Sequence, residues 1–247
     1  MIKKTAVLLA FPTILSHAAF AGDMGVIEEG WKRVLTLSGG PSWSRNGETQ
    51  TFFLQPDIQK TYDNQSSNST LGSGEIFLGL QHPFNANFLW QIGLALAASS
   101  DAKLTGDIWE DADPDFNNYF YRYYVNHQHI AAKGKVLAAG MTLVQPYVSG
   151  SIGVGFNHSH NFVITPKIFE EVPAPPFNGY TKTTFTYTVG AGIQRAITTS
   201  LYASIGYEFA DWGKSNLAAA DGQTMNSGLS LNHLYTNQLQ FGLTLVA

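Results

Sequence analysis

Thr183-Thr184-Phe185-Thr186-Tyr187-Thr188-Val189-Gly190-Ala191-Gly192-Ile193-Gln194-Arg195 is a stretch in which large apolar and small polar residues alternate. In an extended chain successive side chains point to opposite faces, so a repeat of two residues separates this stretch into an apolar face and a polar face. The apolar face carries Phe185, Tyr187, Val189, Ala191 and Ile193. The stretch therefore predicts a β-strand whose two sides meet different surroundings.

The same alternation occurs in seven further segments, at 33–43, 73–82, 88–98, 123–137, 144–157, 201–211 and 235–247. Their polar faces consist mostly of Gly, Ser, Thr, Ala and Gln, whereas the polar faces of a soluble sandwich usually carry many charges. Small polar residues suit the lumen of a narrow barrel, and the apolar faces would then meet lipid. Closure also leaves no unpaired backbone edge in hydrocarbon. We therefore predict an all-β fold, a closed antiparallel transmembrane β-barrel of about eight strands.

The connections between these segments are of two lengths. Those at 82–87, 138–143 and 196–200 are short, whereas those at 44–72, 99–122, 158–182 and 212–234 are long and polar. Short periplasmic turns and long extracellular loops are the outer-membrane pattern. Within the third long loop, the Pro-rich segment 172–179 is expected to be extended and outside any strand ladder. A soluble periplasmic β-sandwich is the alternative to the barrel.

Composition excludes several classes of function. Only 13% of residues are charged and 44% are hydrophobic, whereas soluble domains carry about 25% charged residues. The chain has no cysteine, which excludes disulfides, a thiol nucleophile and a Cys-based metal site. A formal net charge of −4 is not the basic balance of a nucleic-acid-binding protein, so no nucleic-acid partner is expected.

The first 21 residues have the three parts of a secretory signal peptide. Lys3 and Lys4 form the basic region, 5–15 is the apolar region, and Ala19-Phe20-Ala21 is the cleavage site, with Ala19 and Ala21 as its small residues. The apolar region is shorter than the roughly 20 residues of a spanning helix, which argues against an uncleaved anchor. We predict a cleaved signal peptide at 1–21, a short periplasmic segment at 22–32 and a barrel at 33–247, exported through the general secretory pathway to the bacterial outer membrane.

Charged and amide side chains on the predicted lumen faces form the main candidate site. Charges in a narrow lumen are expensive unless they are paired, so we expect a polar and ionic plug rather than an open pore. The residues of this predicted lumen network are Glu75, Gln91, His127, His129, Lys133, Lys135, Gln194 and Glu208.

Aromatic residues near the predicted strand ends form a second candidate set. Aromatic girdles hold a barrel at the two membrane interfaces. The predicted interfacial aromatics are Trp43, Phe88, Trp90, Tyr147, Phe156, Phe209, Trp212 and Phe241.

Three short motifs are weaker candidates for metal binding or catalysis. Asp111-x-Asp113-x-Asp115 resembles the start of a calcium loop, but it lacks the following Gly and the final Glu. His127-x-His129 places two imidazoles on one face without an evident third metal ligand. His158-Ser159-His160 does not have the His-x-Ser spacing of a barrel-type lipid A deacylase. No cofactor is expected, and the metal question is left open with the three aspartates as candidates.

Two motifs resemble the outer-membrane β-barrel superfamily of opacity-type and OmpA-type proteins: Val189-Gly190-Ala191-Gly192-Ile193 and Gly206-Tyr207-Glu208-Phe209-Ala210-Asp211-Trp212-Gly213. The leader and the eight alternating segments are part of the same resemblance. The resemblance implies a Gram-negative surface protein with a role in adhesion, envelope integrity or passage of small solutes. One departure is the last residue, Ala247, because such chains usually end in an aromatic residue that the assembly machinery recognises.

The expected partners are outer-membrane lipid and lipopolysaccharide, periplasmic chaperones and the barrel-assembly machinery, and a host or surface ligand bound by the loops. The first functional hypothesis is a non-enzymatic structural or adhesion protein with a filled lumen. The alternatives are a narrow porin-like channel and a lipid-modifying enzyme.

Overall fold

The computed structural model describes residues 30–45, 47–65, 68–139, 143–169 and 172–247. The predicted signal peptide, with Ala19 and Ala21, lies outside the described residues, as do residues 22–29 of the predicted periplasmic segment. The described strands are β1 (Lys32–Arg45), β2 (Gln50–Gln55), β3 (Ile58–Gln65), β4 (Asn68–Asn85), β5 (Phe88–Ser99), β6 (Ala102–Glu110), β7 (Asn117–Ala138), β8 (Gln145–Pro166), β9 (Phe177–Asn178), β10 (Tyr180–Ala196), β11 (Leu201–Asp211), β12 (Ser215–Asn216), β13 (Ala218–Ala220), β14 (Ser230–Leu231) and β15 (Tyr235–Val246). A single turn of 3₁₀ helix spans Pro114–Phe116.

Eight of these strands form a closed antiparallel ring in the order β1-β4-β5-β7-β8-β10-β11-β15. The first and last strands close it, with Val34 opposite Val246 and Ser44 opposite Thr236. The backbone of Arg33 continues this ladder to Ala247 with bonds of 2.6 and 2.9 Å. The predicted barrel of about eight strands is therefore confirmed, and Ala247 takes part in its closure.

The predicted phase of all eight strands is also confirmed. In β10, for example, Thr186 and Thr188 are buried whereas Phe185 and Val189 face outward. The outer surface is a continuous belt of large apolar side chains, in which Leu78, Leu94 and Ile152 are 55%, 57% and 61% exposed. Exposed apolar area costs about 25 cal/mol per Å² in water. A belt of this kind fits the hydrocarbon layer of a membrane.

No helix among the described residues is long and apolar enough to span a membrane.

The long connections fold into a second layer above one rim of the ring, which we call the cap. Strands β7 and β8 continue beyond the rim, and β6, β3 and β2 add to the free side of β7 in that order. Shorter strands pair within the cap as well, β12 with β14 and β9 with β13. The long connections thus contain strands that the alternation in the sequence did not indicate. The expectation that 172–179 lies outside any ladder is wrong, because Phe177 and Asn178 pair with β13.

The cap has an apolar core of its own. Four aromatic rings meet at its centre: Tyr62 lies 5.9 Å from Tyr121 and 5.3 Å from Phe177, and Phe162 lies 4.8 Å from Phe177, centroid to centroid. Burial raises the pKa of the Tyr62 and Tyr121 hydroxyls. The core also contains Leu54, Leu71, Leu104, Ile108, Tyr119, Tyr123, Val125, Trp212, Leu217, Leu229, Leu231 and Leu234. The cap is thus a folded unit on the barrel rim.

The structure places five of the predicted interfacial aromatics on the outer surface, four of them near strand ends and Phe156 partway along β8, which continues beyond the rim. Trp43, Phe156 and Phe209 lie toward the cap, and Phe88 and Trp90 lie at the opposite end.

The interfacial prediction is wrong for Tyr147, Trp212 and Phe241. Phe241 faces outward but stands halfway along β15. Tyr147 points into the lumen, where Gly206 leaves room for its hydroxyl because any Cβ there would overlap it. Trp212 follows the end of β11, where the chain turns over the rim, and its ring stacks on His127 at 4.5 Å.

Replacing a side chain of the cap core should loosen the cap without opening the barrel. We expect Tyr121→Ala to cost the cap about 3–5 kcal/mol, because a buried aromatic ring is lost from a packed core. Limited proteolysis in detergent should then cleave the cap faster, while gel migration stays heat-modifiable. The matched control is Phe120→Ala, the next residue of β7, whose side chain is 47% exposed. Equal proteolysis of the two variants would contradict a packed cap.

Candidate functional site

The centre of the lumen holds a buried ionic layer made by three strands. Lys133 on β7 donates to both carboxylate oxygens of Glu75 on β4, at 2.7 and 2.9 Å, and to Oε2 of Glu208 on β11, at 2.8 Å. Gln240 on β15 donates to the other oxygen of Glu208 at 3.0 Å. All three charged side chains are at least nine-tenths buried. One ammonium therefore ties together carboxylates from strands that are not neighbours in the ring.

A stacked polar cluster lies between this layer and the cap. Asn157 donates its amide hydrogens to the backbone carbonyls of Trp212 and Lys214, both at 2.8 Å. Its Oδ1 therefore accepts from Nδ1 of His127 at 2.6 Å, and Nε2 of His127 accepts from Nδ1 of His129 at 2.9 Å. The cluster links the lumen wall to the chain that crosses the rim.

A second lysine lies on the opposite side of the ionic layer. Lys135 donates to Oε1 of Gln194 at 2.9 Å, and its ammonium lies 3.8 Å from the ring centroid of Tyr147. Gln194 donates in turn to Gln145 at 2.9 Å. The neutral partners of Lys135 distinguish it from Lys133, whose partners are both carboxylates.

The space left in the lumen is small and divided. A cavity of about 40 Å³ lies on the Lys135 side of the ionic layer, and one of about 10 Å³ lies on the His129 side. These volumes hold a few water molecules at most. Beyond the larger cavity, Val34, Phe77 and Ala95 form a small apolar cluster with Val246, and Tyr202 packs against it. The described side chains thus leave only small spaces on the two sides of the ionic layer.

The structure places all eight residues of the predicted lumen network inside the barrel. Lys133 is paired with two acidic residues of the predicted network, Glu75 and Glu208, whereas Lys135 bonds to the amide of Gln194. Gln91 bonds to Gln81 at 2.8 Å, away from the ionic layer.

Sequence reasoning missed Asn157, Tyr147 and Trp212 as lumen residues. The phase of β8 does predict that Asn157 and Tyr147 point inward, because both are separated by even numbers of residues from the lumen residue Ser151. Nothing in the local pattern signals Trp212, which lies beyond the end of its strand.

The weaker motifs do not assemble into sites in the part of the chain that is described. Asp113 accepts a bond from the backbone nitrogen of Asp115 at 2.9 Å and caps the 3₁₀ turn. Asp111 lies in a turn with a φ of 50°. Among the described residues no group of three or more His, Asp or Glu side chains has the geometry to hold a metal ion.

His158 and Ser159 lie on opposite faces of β8, as successive residues of a strand must. Ser159 is fully buried, whereas His158 faces outward and contacts Thr181 at 3.0 Å. The two side chains are therefore not arranged as a nucleophile and its base.

No protein-family model matches the chain, and no curated protein matches it. Solved structures do. Neisserial surface protein A matches at 13% identity with a TM-score of 0.41, over 88% of this chain and 99% of its own. The outer membrane protease OmpT from Escherichia coli matches at 9% identity and 0.46, over 88% and 96%. The outer membrane protein OprG from Pseudomonas aeruginosa matches at 10% and 0.41, over 87% and 96%. The fold assignment rests on the closed hydrogen-bond ring of the chain itself.

The two lumen lysines should differ sharply in their effect on stability. Lys133→Met leaves two buried carboxylates without their counter-ion, which costs about 3–5 kcal/mol. Lys135→Met removes a charge-assisted bond to a neutral amide but leaves no carboxylate without its counter-ion, so it should cost less, about 1.5 kcal/mol. Urea unfolding in detergent, followed by gel migration, measures both. Adding Glu75→Gln and Glu208→Gln to Lys133→Met should restore much of the loss. Equal effects of the two lysine variants would contradict the assignment of Lys133 as the centre of the layer.

Proposed function

We propose that this chain is an integral outer-membrane β-barrel protein that acts as a structural or adhesion protein, with the barrel as its anchor and the cap as its contact surface. The observation that carries the proposal is the combination of a filled lumen with a folded cap on one rim. A barrel blocked at its centre offers no path to a solute, whereas a packed cap offers a defined surface to a partner.

The sorting of the connections supports an outer-membrane orientation. The long connections gather at the rim that carries the cap. The short connections between β4 and β5 and between β10 and β11 lie at the other end. Outer-membrane barrels direct their long loops to the outside of the cell. The cap is accordingly the extracellular side, and the other rim with the N-terminal strand end faces the periplasm. Export through the general secretory pathway is part of the proposal, on the strength of the leader at 1–21.

The lumen geometry favours this role over a channel. Between the cap and the periplasmic rim a solute would have to displace the Trp212 ring and break the bonds of Lys133 to both carboxylates. Breaking one buried pair of this kind costs several kcal/mol.

A non-enzymatic role is also proposed. The separation of His158 from Ser159 by the strand, described above, supports it against the lipid-modifying alternative. The proposed partners are lipid and lipopolysaccharide around the apolar belt, chaperones and the barrel-assembly machinery during biogenesis, and a surface ligand at the cap.

The deciding experiment is single-channel recording of the mature chain, refolded in detergent and inserted into planar bilayers. We expect a heat-modifiable band on gels and no steady conductance, because the ionic layer and the cap both block the lumen. Lys133→Gln should lower stability without opening a conducting state, since the cap remains in place.

Two other outcomes would count against the proposal. Steady conductance that changes with Lys133→Gln would favour the narrow channel. Hydrolysis of lipid A that is lost in His158→Ala would favour the enzyme.

A further inference from the structure

The outermost part of the cap contains an open cleft that the lumen and the membrane belt do not involve. Its volume is about 340 Å³, within the range of roughly 300–1,000 Å³ that is usual for ligand pockets. It lies between the β2–β3 hairpin, the end of β6, the Pro-rich segment and β13. Strand β6 starts beside Val125 near the barrel rim and runs outward to Glu110, roughly 26 Å of extended chain at about 3.3 Å per residue. The cleft therefore lies well away from the barrel rim.

Part of the cleft lining is apolar. Leu54 and Ile58 line the hairpin side, and Ala174, Pro175 and Ala220 line the opposite side. Hydrogen bonds fix the two sides relative to each other: Gln55 donates to the carbonyl of Gly222 at 3.2 Å, and the backbone nitrogen of Thr224 donates to Leu54 at 3.1 Å. The cleft is a preformed feature of the folded cap.

The cleft is lined by more negatively charged than positively charged side chains. Lys60 is 8% exposed and its ammonium is held by Glu110 at 2.7 Å, with the Tyr119 ring 5.3 Å away. Asp111 and Asp221 add two further carboxylates to the lining, and Asp221 accepts a hydrogen bond from the neutral Asn178 amide at 3.1 Å. Three carboxylates against one ammonium give the lining a net charge of −2. Because the one lysine is already paired, the free attraction is toward a cation.

We propose that this cleft binds a basic segment of a partner protein, through an arginine or lysine side chain. The methylene stem of such a side chain would lie along Leu54, Ile58 and Pro175, and its charged head would meet Asp111 and Asp221. Long basic side chains combine an apolar stem with a cationic head in this way. The inference rests on the proposed function of the cap as a contact surface, and it names the chemistry of the contact.

The test uses the mature chain in a non-ionic detergent and a short labelled peptide of alternating leucine and arginine. Binding is followed by fluorescence anisotropy, with protein-free micelles as the blank. A peptide with glutamine in place of arginine tests the charge requirement. The variant Asp111→Asn with Asp221→Asn removes two carboxylates but keeps their hydrogen-bonding shape. Asp115→Asn is the matched control, because Asp115 is an exposed cap carboxylate that does not line the cleft.

We expect the double variant to bind the arginine peptide about 10-fold more weakly, since each near-surface charge pair contributes up to about 1 kcal/mol and 1.4 kcal/mol is a factor of ten. The control should stay within about twofold of the unaltered chain, and the glutamine peptide should bind weakly to all three. Ala220→Trp, which fills the cleft, should also lower affinity while leaving gel migration heat-modifiable.

Absence of peptide binding to the unaltered chain would overturn the inference. Equal affinities of the unaltered chain and the double variant, or equal losses in the double variant and the Asp115→Asn control, would do so as well. None of these results depends on conductance. A negative result for peptide binding at the cleft is therefore distinguishable from a negative result for the proposed function.

Discussion

Closure of the hydrogen-bond ring between β1 and β15 is the constraint on which the rest of this structure depends. In hydrocarbon every backbone N–H and C=O must find a partner within the protein, and only closure provides partners for the first and last strands. Once the ring is closed, each strand must present one face to lipid and one to the lumen. The two-residue alternation of the sequence follows from this requirement, as does the contrast between exposed Leu94 and buried Gln91 on β5.

An eight-stranded ring encloses a space just wide enough for side chains to fill it. Large residues enter where a neighbouring strand is small: Gly155 on β8 lies beside β7, and a Cβ there would lie 2.6 Å from the His127 ring. The polar side chains that point into the lumen form hydrogen bonds mostly with one another, and Lys133 lies at the centre of this network. Such a layer stabilises the closed form mainly through Lys133, because removal of this side chain leaves two buried carboxylates, Glu75 and Glu208, without their counter-ion.

The sequence predicted the barrel better than it predicted the cap. Period-two patterning is strong where one side of a strand meets lipid, and there the strand phase and the inward direction of Lys133 and Glu208 followed directly. The cap strands carry polar residues on the face that meets solvent and also on parts of the inner face. The two-residue alternation is therefore weak in β2, β3 and β6, and the sequence of these segments resembles that of loops. Tyr119 and Tyr121 continue the inward phase of β7, although the alternating segment was predicted to begin only at residue 123. Trp212 was wrongly predicted to lie at the membrane interface, because its position depends on how the chain turns over the rim.

The central claim is that the lumen is closed between the cap and the ionic layer. The chain contains no cysteine, so a single introduced thiol reports on one position. Ser204 lines the cavity on the periplasmic side of the layer, whereas Ser227 is exposed on the cap. In proteoliposomes with the cap side outward, a small charged thiol reagent added outside should modify Ser227→Cys rapidly and leave Ser204→Cys unmodified. Modification of Ser204→Cys from outside at a rate comparable to that of Ser227→Cys would contradict a closed lumen.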